Sequence, residues 1–116
     1  MRTMIATAMV AAAAMVAVPA AAKDRTGYRA IAAGDFAQAQ ATLAQERAIF
    51  PDRPELMLNQ AAVFARTGRA AEARVLYGEV MARQPVALDL PDGSVASSHT
   101  VAQRGMARLA ATMASR

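Results

Sequence analysis

Turn-forming residues recur at a fixed interval in this chain. Gly34 and Gly68 are 34 residues apart, and so are Pro51 and Pro85. The chain has only 6 glycines and 5 prolines in 116 residues, so two such matches at one offset are more informative than matches between its many alanines. Self-similarity at roughly 20 to 50 residues is typical of chains built from repeated supersecondary units.

The segments between these residues predict two pairs of helices, at about 24–33, 35–50, 55–67 and 70–83. Asp24 and Asp35 are suited to cap the first two helices. Gly34 and Gly68 can end the first and third helices in a left-handed conformation. Pro51 and Pro54 bracket the turn between the pairs, and Pro85 ends the fourth helix.

Apolar residues in these segments recur at helical spacing, which predicts one inward-facing stripe on each helix. The expected inward residues are Phe36, Ala39, Leu43 and Phe50 in the second helix, Met57, Ala61 and Phe64 in the third, and Ala73, Tyr77, Val80 and Met81 in the fourth.

Segment 54–87 resembles a tetratricopeptide repeat through Ala61, Phe64, Gly68, Ala73, Tyr77 and Pro85. Segment 23–53 resembles one through Gly34, Phe36, Ala39, Leu43 and Pro51, but it carries Glu46 where a small residue is expected. The resemblance implies a mainly α fold with two helix-turn-helix units. A generic four-helix array with a coincidental offset is the alternative. Because a repeat buries its apolar face only against neighbours, two units need help from the rest of the chain.

The pattern changes after Pro85. Val86, Leu88 and Leu90 alternate with other residues, and Pro91, Asp92 and Gly93 form a strong turn signal. We therefore expect a small β-hairpin at about 86–96, with an irregular loop as the alternative.

A closing helix is predicted at about 98–114, capped by Ser97 or Ser98 and packed against the fourth helix. It completes a single helical domain over residues 23–116. The expected inward residues are Val101, Ala102, Met106, Leu109 and Met113, whereas Gln103, Arg104 and Arg108 are expected to face away.

Residues 1–22 have the pattern of a secretory signal peptide. Arg2 precedes an uncharged run rich in Ala, Met and Val, which ends in Pro19 and three alanines. We expect cleavage after Ala22, export to the periplasm of a Gram-negative bacterium, and no stable membrane insertion after cleavage. An uncleaved membrane anchor is the alternative.

Composition argues against several function classes. The chain has no cysteine and one histidine, which excludes disulfides, thiolate nucleophiles, Cys-ligated zinc and two-His metal motifs. The formal net charge is +4, but the basic residues are scattered among acids, so no nucleic-acid interface is predicted. No catalytic, cofactor-binding or metal-binding residues are predicted.

Binding of a protein or peptide partner is the predicted function. In tetratricopeptide-like arrays the first helix of each unit lines a concave groove, and the resemblance carries that role to the helices at about 24–33 and 55–67. The candidate partner-binding residues are Arg25, Tyr28, Ile31, Leu58, Asn59, Ala62 and Arg66.

Two alternatives remain open. Two repeats leave an apolar end uncovered, so the chain could be a structural subunit completed by a partner or by homo-oligomerisation. It could also be a small ligand-binding or hydrolytic protein centred on His99, which follows Ser97 and Ser98.

Overall fold

A computed structural model describes residues 24–115 of the chain. The predicted signal peptide and its cleavage site after Ala22 lie outside these residues. The described part is mainly helical, with a two-stranded antiparallel hairpin and a C-terminal helix. Its elements are α1 (Tyr28–Ala32), α2 (Phe36–Ile49), α3 (Pro54–Arg66), α4 (Ala70–Met81), β1 (Ala87–Asp89), β2 (Val95–Ser97) and α5 (Ser98–Ala114).

The predicted helix ends are confirmed at most junctions. Gly34 and Gly68 have φ of +78° and +81° and separate α1 from α2 and α3 from α4. The Asp35 side chain accepts a hydrogen bond from the Gln38 backbone N–H at 3.1 Å, as expected of an N-cap. Ser97 caps α5 by accepting from the His99 backbone N–H at 3.0 Å.

The first helix is much shorter than predicted. It begins at Tyr28 rather than near Asp24, because Gly27 turns the chain with a φ of +73°. Gly27 also packs closely, since a Cβ there would lie 3.2 Å from Leu43 Cγ. Asp24 still accepts from a helix N–H, but that of Ala30, 3.2 Å from its Oδ2.

The apolar interior consists of two clusters, and α3 contributes to both. Leu56 and Val63 pack with Ala39, Leu43 and Ala30 of the first two helices. The larger cluster joins the opposite side of α3 to α4 and α5; its buried members are Met57, Leu58, Ala61, Ala73, Leu76, Tyr77, Val80, Ala102 and Leu109. The predicted stripes of α3 and α4 are therefore confirmed.

The predicted hairpin is present and its base is attached to α5. Its register pairs Ala87 with Ser97 and Asp89 with Val95. The Ser98 backbone N–H donates to the Val86 carbonyl at 2.8 Å, and the Val86 N–H donates to Ser98 Oγ at 3.0 Å. These two bonds fix the hairpin against the start of the last helix.

The hairpin turn is closed by backbone hydrogen bonds between Leu90 and residues 93 and 94, and the Asp92 side chain reinforces it. Asp92 Oδ1 accepts from both the hydroxyl and the backbone N–H of Ser94, at 2.6 and 2.9 Å. These two hydrogen bonds, the hydroxyl first, lower the pKa of the exposed Asp92 carboxyl.

The closing helix has the predicted bounds, and it packs on both α3 and α4. Ala102 and Leu109 are buried as expected. Two residues predicted to face inward do not: Phe50 is 38% exposed and Met113 is 45% exposed. Each stands at the end of its helix, and the Met113 sulfur accepts a hydrogen bond from the exposed Arg74 side chain of α4.

In the described part of the chain, no helix has the length and apolar character needed to span a bilayer.

Candidate functional site

Two cavities lie one after the other between α3 and α5, and we call the surface that contains both of them the groove. The first, which we call the hairpin cavity, has a volume of about 300 Å³. Its walls are Glu55, Leu58 and Asn59 of α3, Val101 of α5, hairpin residues 88–91, and Thr26 and Tyr28 from the N-terminal side.

The second, which we call the arginine cavity, has a volume of about 150 Å³. It is lined by Ala62, Ala65 and Arg66 of α3, Tyr77 of α4, and Gly105, Arg108, Leu109 and Thr112 of α5. Arg108 is exposed, as expected, and it also lies at the rim of this cavity.

The two helices that form the groove run in the same direction. From the hairpin cavity to the arginine cavity, the lining residues of α3 advance from Glu55 to Arg66, and those of α5 advance from Val101 to Thr112. At about 1.5 Å per residue, Glu55 and Arg66 are separated by about 16 Å along the helix axis. The groove is therefore long enough for a short extended segment.

The charges of the groove are separated along its length. Glu55 and Asp89 line the hairpin cavity, whereas Arg66 and Arg108 line the arginine cavity. Within residues 24–115 none of these four side chains forms an ion pair. The Arg66 guanidinium lies over the Phe36 ring of α2, 5.3 Å from its centroid.

Tyr77 brings a phenol hydroxyl to the arginine cavity. The residue is only 5% exposed, and its hydroxyl makes no hydrogen bond to any residue that the structure describes. Burial raises the pKa of Tyr77, and the nearby positive charge of Arg108 opposes that rise only in part. The hydroxyl therefore keeps its proton at neutral pH and remains a donor.

Asn59 holds the N-terminal segment in place at the hairpin cavity. Its Nδ2 donates to the Thr26 carbonyl at 2.8 Å, across 33 positions of sequence. The bond fixes Thr26, and with it the start of α1, as a wall of the cavity. Asn59 thus has a positioning role besides lining the groove.

The candidate partner-binding residues fall into three groups. Tyr28, Leu58 and Asn59 meet in the hairpin cavity, and Ala62 and Arg66 lie in the arginine cavity. Leu58 is almost fully buried and forms the cavity floor. Ile31 packs against the smaller apolar cluster, and Arg25 is exposed outside both cavities.

Sequence reasoning missed half of the groove. It placed the site on the first helix of each pair, whereas α5 and the hairpin form the opposite wall. One signal was present in the sequence: Gly105 interrupts an otherwise good helical segment. An isolated Gly in a helix often marks a close approach of another element, and in this fold that element is the Tyr77 ring.

His99 lies outside both cavities and bonds to backbone. Its Nε2 donates to the Arg83 carbonyl at 2.7 Å, just beyond the end of α4. Ser97 and Ser98 each accept from a backbone N–H through Oγ. Ser98 and His99 thus join the start of α5 to the segment that follows α4, and Ser97 caps α5 itself. Among residues 24–115, no three His, Cys, Asp or Glu side chains cluster closely enough to hold a metal ion.

Comparison with known proteins gives no relatives from which a role could be transferred. No protein-family profile, curated protein or solved structure matches the chain. The groove itself is therefore the basis for assigning a function.

Proposed function

We propose that this chain is a non-catalytic interaction module that binds a peptide, or an extended segment of a partner protein, in the groove between α3 and α5. The hairpin cavity carries this proposal. Leu58, Leu88 and Val101 give it an apolar lining, and a few polar groups stand at its edge. Apolar concavities with a few convergent polar groups are the usual form of binding sites.

The volume of the hairpin cavity is better suited to an apolar side chain of a bound segment than to a whole cofactor. Sites for drug-sized ligands span roughly 300 to 1,000 Å³, so the hairpin cavity, at about 300 Å³, is at the lower limit. One or two apolar side chains of a bound segment would fill it. Tyr28, which is 47% exposed at its edge, would then cover the anchor with its ring, as aromatic residues commonly do at interfaces.

We further propose that the helices form two tetratricopeptide-like units over about 23–53 and 54–87. Two features support this proposal: Gly34 and Gly68, one period apart, share a left-handed conformation between helices, and α3 and α5 run parallel, as successive first helices of such units would. The hairpin is then an insertion before the closing helix.

We also propose that the chain is exported to the periplasm. Its support is the sequence of residues 1–22, which has the charged, apolar and small-residue regions of a signal peptide. Mass spectrometry of the chain purified from a Gram-negative host would test it: cleavage gives an N-terminus at Lys23, and retention of Met1 contradicts it.

A display selection tests the binding function. The purified chain is used to select from a library of random peptides, and selected peptides are measured against variants by fluorescence anisotropy. Tyr28→Ala removes an exposed ring from the hairpin cavity and should weaken binding about tenfold or more. Val75→Ala, a matched control on an exposed apolar residue of α4 outside both cavities, should leave affinity unchanged.

The selection contradicts the proposal if no peptide is enriched. Equal losses in the Tyr28 and Val75 variants would also contradict it, because they would mean that the peptides adhere to apolar surface in general.

A structural subunit completed by self-association is the second candidate. Ile49 and Phe50, at the end of α2, are 65% and 38% exposed, and large exposed apolar residues can mark an interface. Sedimentation of the chain at micromolar concentration tests it: a dimer that dissociates in Ile49→Asp supports self-association, and a monomer excludes it.

A further inference from the structure

The proposed function leaves open how a segment is held in the groove, and the open edge of the hairpin bears on that. Resting on that function, we propose that the partner contributes an extended segment, which adds to β1 as a third, antiparallel strand at the hairpin cavity. Main-chain hydrogen bonds to Ala87 and Asp89 hold the segment, and one apolar side chain between them, the anchor, fills the cavity.

The backbone N–H and C=O groups of Ala87 and Asp89 point away from β2. The alternate residues bond across the hairpin instead: the Val86 carbonyl accepts and the Leu90 N–H donates, each at 2.8 Å. In an antiparallel pair, the residues between such bonded positions direct their backbone groups outward. In the part of the chain that the structure describes, no side chain or other element bonds to these outward groups. Two donors and two acceptors are therefore available on the open edge of β1.

Prolines limit this edge at both ends. Positions 85 and 91 are the next ones in the same alternation, and both are proline, which has no N–H to donate. Between them the edge offers the N–H groups of Ala87 and Asp89, a length that pairs with about three residues of an added strand. Short edges restrict pairing with other chains, so this edge is suited to a short segment.

The hairpin cavity lies along the open edge of β1. Four consecutive residues, 88–91, line the cavity, and none of Val95–Ser97 does. Because the two strands lie side by side, a cavity that meets successive residues of β1 and none of β2 borders the side of β1 that β2 does not occupy. An added strand, about 4.8 Å from β1, would lie between β1 and the wall formed by Thr26 and Tyr28.

The alternation of side chains along a strand determines which residue of the segment is the anchor. Leu88 is half-buried and packs against the larger apolar cluster, so its face of β1 is directed to the interior. The residue opposite Leu88 in an added antiparallel strand has its side chain on the same face, where Leu58 and Val101 line the cavity. Its two neighbours bond to Ala87 and Asp89 and direct their side chains away. The site therefore selects one apolar residue with a free N–H on each neighbour.

An extended strand fits this site better than a helix does. A helix is about 10 Å across with its side chains, and it makes its backbone hydrogen bonds internally, so it would leave the edge groups of β1 unpaired. The cavity of about 300 Å³ is suited to one side chain and the adjoining main chain. Strand addition to an open edge is a recurrent mode of peptide recognition, in which main-chain bonds supply affinity and side-chain pockets supply specificity.

Methylation of the peptide backbone tests this mode of binding. The probe is the tightest peptide from the display selection, with its anchor identified by an alanine scan and each backbone nitrogen methylated in turn. Methylation on either neighbour of the anchor removes a donor that faces β1, so it should weaken binding about tenfold or more. Methylation of the anchor nitrogen should change affinity less than about twofold, because that N–H points away from β1. Ester replacements at the same positions repeat the comparison without added bulk.

Proline substitutions test the edge from the side of the protein. Asp89→Pro removes an edge N–H and spares the bonds to β2, since proline is tolerated on an open edge; it should weaken the peptide about tenfold. Asp89→Asn keeps the N–H and removes the charge, so it should change nothing. Val95→Pro is the matched control: Val95 is opposite Asp89 in the register, and its N–H lies on the far edge of the hairpin, outside both cavities.

Circular dichroism establishes whether the proline variants fold like the parent. The methylated peptides are measured against the parent chain, so that comparison is decisive if a proline variant unfolds. In the parent, the bound peptide should also slow deuterium exchange at the amides of Ala87 and Asp89 and leave that of Val95 unchanged.

The outcomes distinguish this inference from the binding function. If peptides bind and Tyr28→Ala weakens them, but affinity does not alternate with the methylated position, the binding function stands and strand addition is wrong. Loss on methylation of the anchor nitrogen alone would overturn the antiparallel arrangement. A dimer that dissociates in Asp89→Pro would mean that a second copy occupies the edge, which overturns the assignment to a partner segment. If no peptide is enriched, the binding function itself is wrong.

Discussion

Gly105 of α5 lies directly against the ring of Tyr77 in α4, so closely that a Cβ on Gly105 would stand 2.6 Å from the tyrosine hydroxyl oxygen. Glycine inside a helix costs about 1 kcal/mol relative to alanine, and at this position the absence of a side chain allows the two helices to approach. The same contact leaves the hydroxyl at the edge of the arginine cavity. Packing and the candidate site therefore depend on one residue.

Gly105→Ala should lower the free energy of unfolding by about 1 to 3 kcal/mol, since α5 must move away from Tyr77 to admit the methyl group. Gly78→Ala is the matched control: it lies within α4 with nothing near the added methyl, and it should raise stability by about 0.5 to 1 kcal/mol. Urea denaturation of both variants measures the difference. If both substitutions change the free energy of unfolding in the same direction, the close contact between Gly105 and Tyr77 does not determine the stability of the Gly105 variant.

Leu109→Ala should lower the free energy of unfolding by about 2 to 5 kcal/mol, because Leu109 is 6% exposed and joins α5 to the larger cluster. The substitution Leu109→Asp should be worse, since it buries an unpaired carboxylate. Met113→Ala, one turn further along the same helix and 45% exposed, should cost less than about 1 kcal/mol. If thermal melts of the Leu109 and Met113 variants coincide, α5 does not close the domain.

Asn59→Ala should release the segment before α1, because the variant cannot donate to the Thr26 carbonyl. The lost hydrogen bond should cost about 1 kcal/mol. The sharper measurement is limited proteolysis with trypsin, which should cut after Arg25 and Arg29 faster than in the parent chain. Gln103→Ala, an exposed amide on α5, serves as the control, and a cleavage rate equal to that control would exclude this role of Asn59.

Stability should fall at high pH because the pKa of Tyr77 is raised by burial. The folded chain holds this proton more tightly than the unfolded chain does. Its contribution is thus fully present below the unfolded pKa of about 10 and is lost as pH rises through the folded value. Urea denaturation between about pH 9 and 11 should show a smaller decline in Tyr77→Phe than in the parent. Identical declines in the two chains would mean that the Tyr77 proton is not responsible.

Local signals in the sequence were sufficient to predict most of the helical framework. Gly34, Gly68, Asp35 and Ser97 act on their own neighbours in the chain, through backbone conformation or a cap, so their effect can be predicted from type and position. The alternation of apolar residues before Pro91 likewise predicted the hairpin. Each of these features depends on residues fewer than about ten positions apart.

The errors and omissions come from contacts between distant residues. Gly27, which precedes the start of α1, packs against Leu43, and the arginine cavity lies where α5 passes beside Tyr77. Neither contact can be read from periodicity, which gives the faces of a helix but not its neighbours. Periodicity was sufficient to select the face of α3 that lines the two cavities, but it could not indicate that α5 and the hairpin form the second wall.

The division of the interior has a consequence for how the chain opens. Adjacent residues Leu56 and Met57 of α3 serve different clusters, so the part that holds α1 and α2 can separate while α4 and α5 stay together. Amide protons of α1 and α2 should then exchange with deuterium through sub-global openings at low free energy, and those of α4 and α5 should exchange only on complete unfolding. A ligand in the groove would rest mainly on the slowly exchanging half, and it would slow exchange in the other half through its contact with Tyr28.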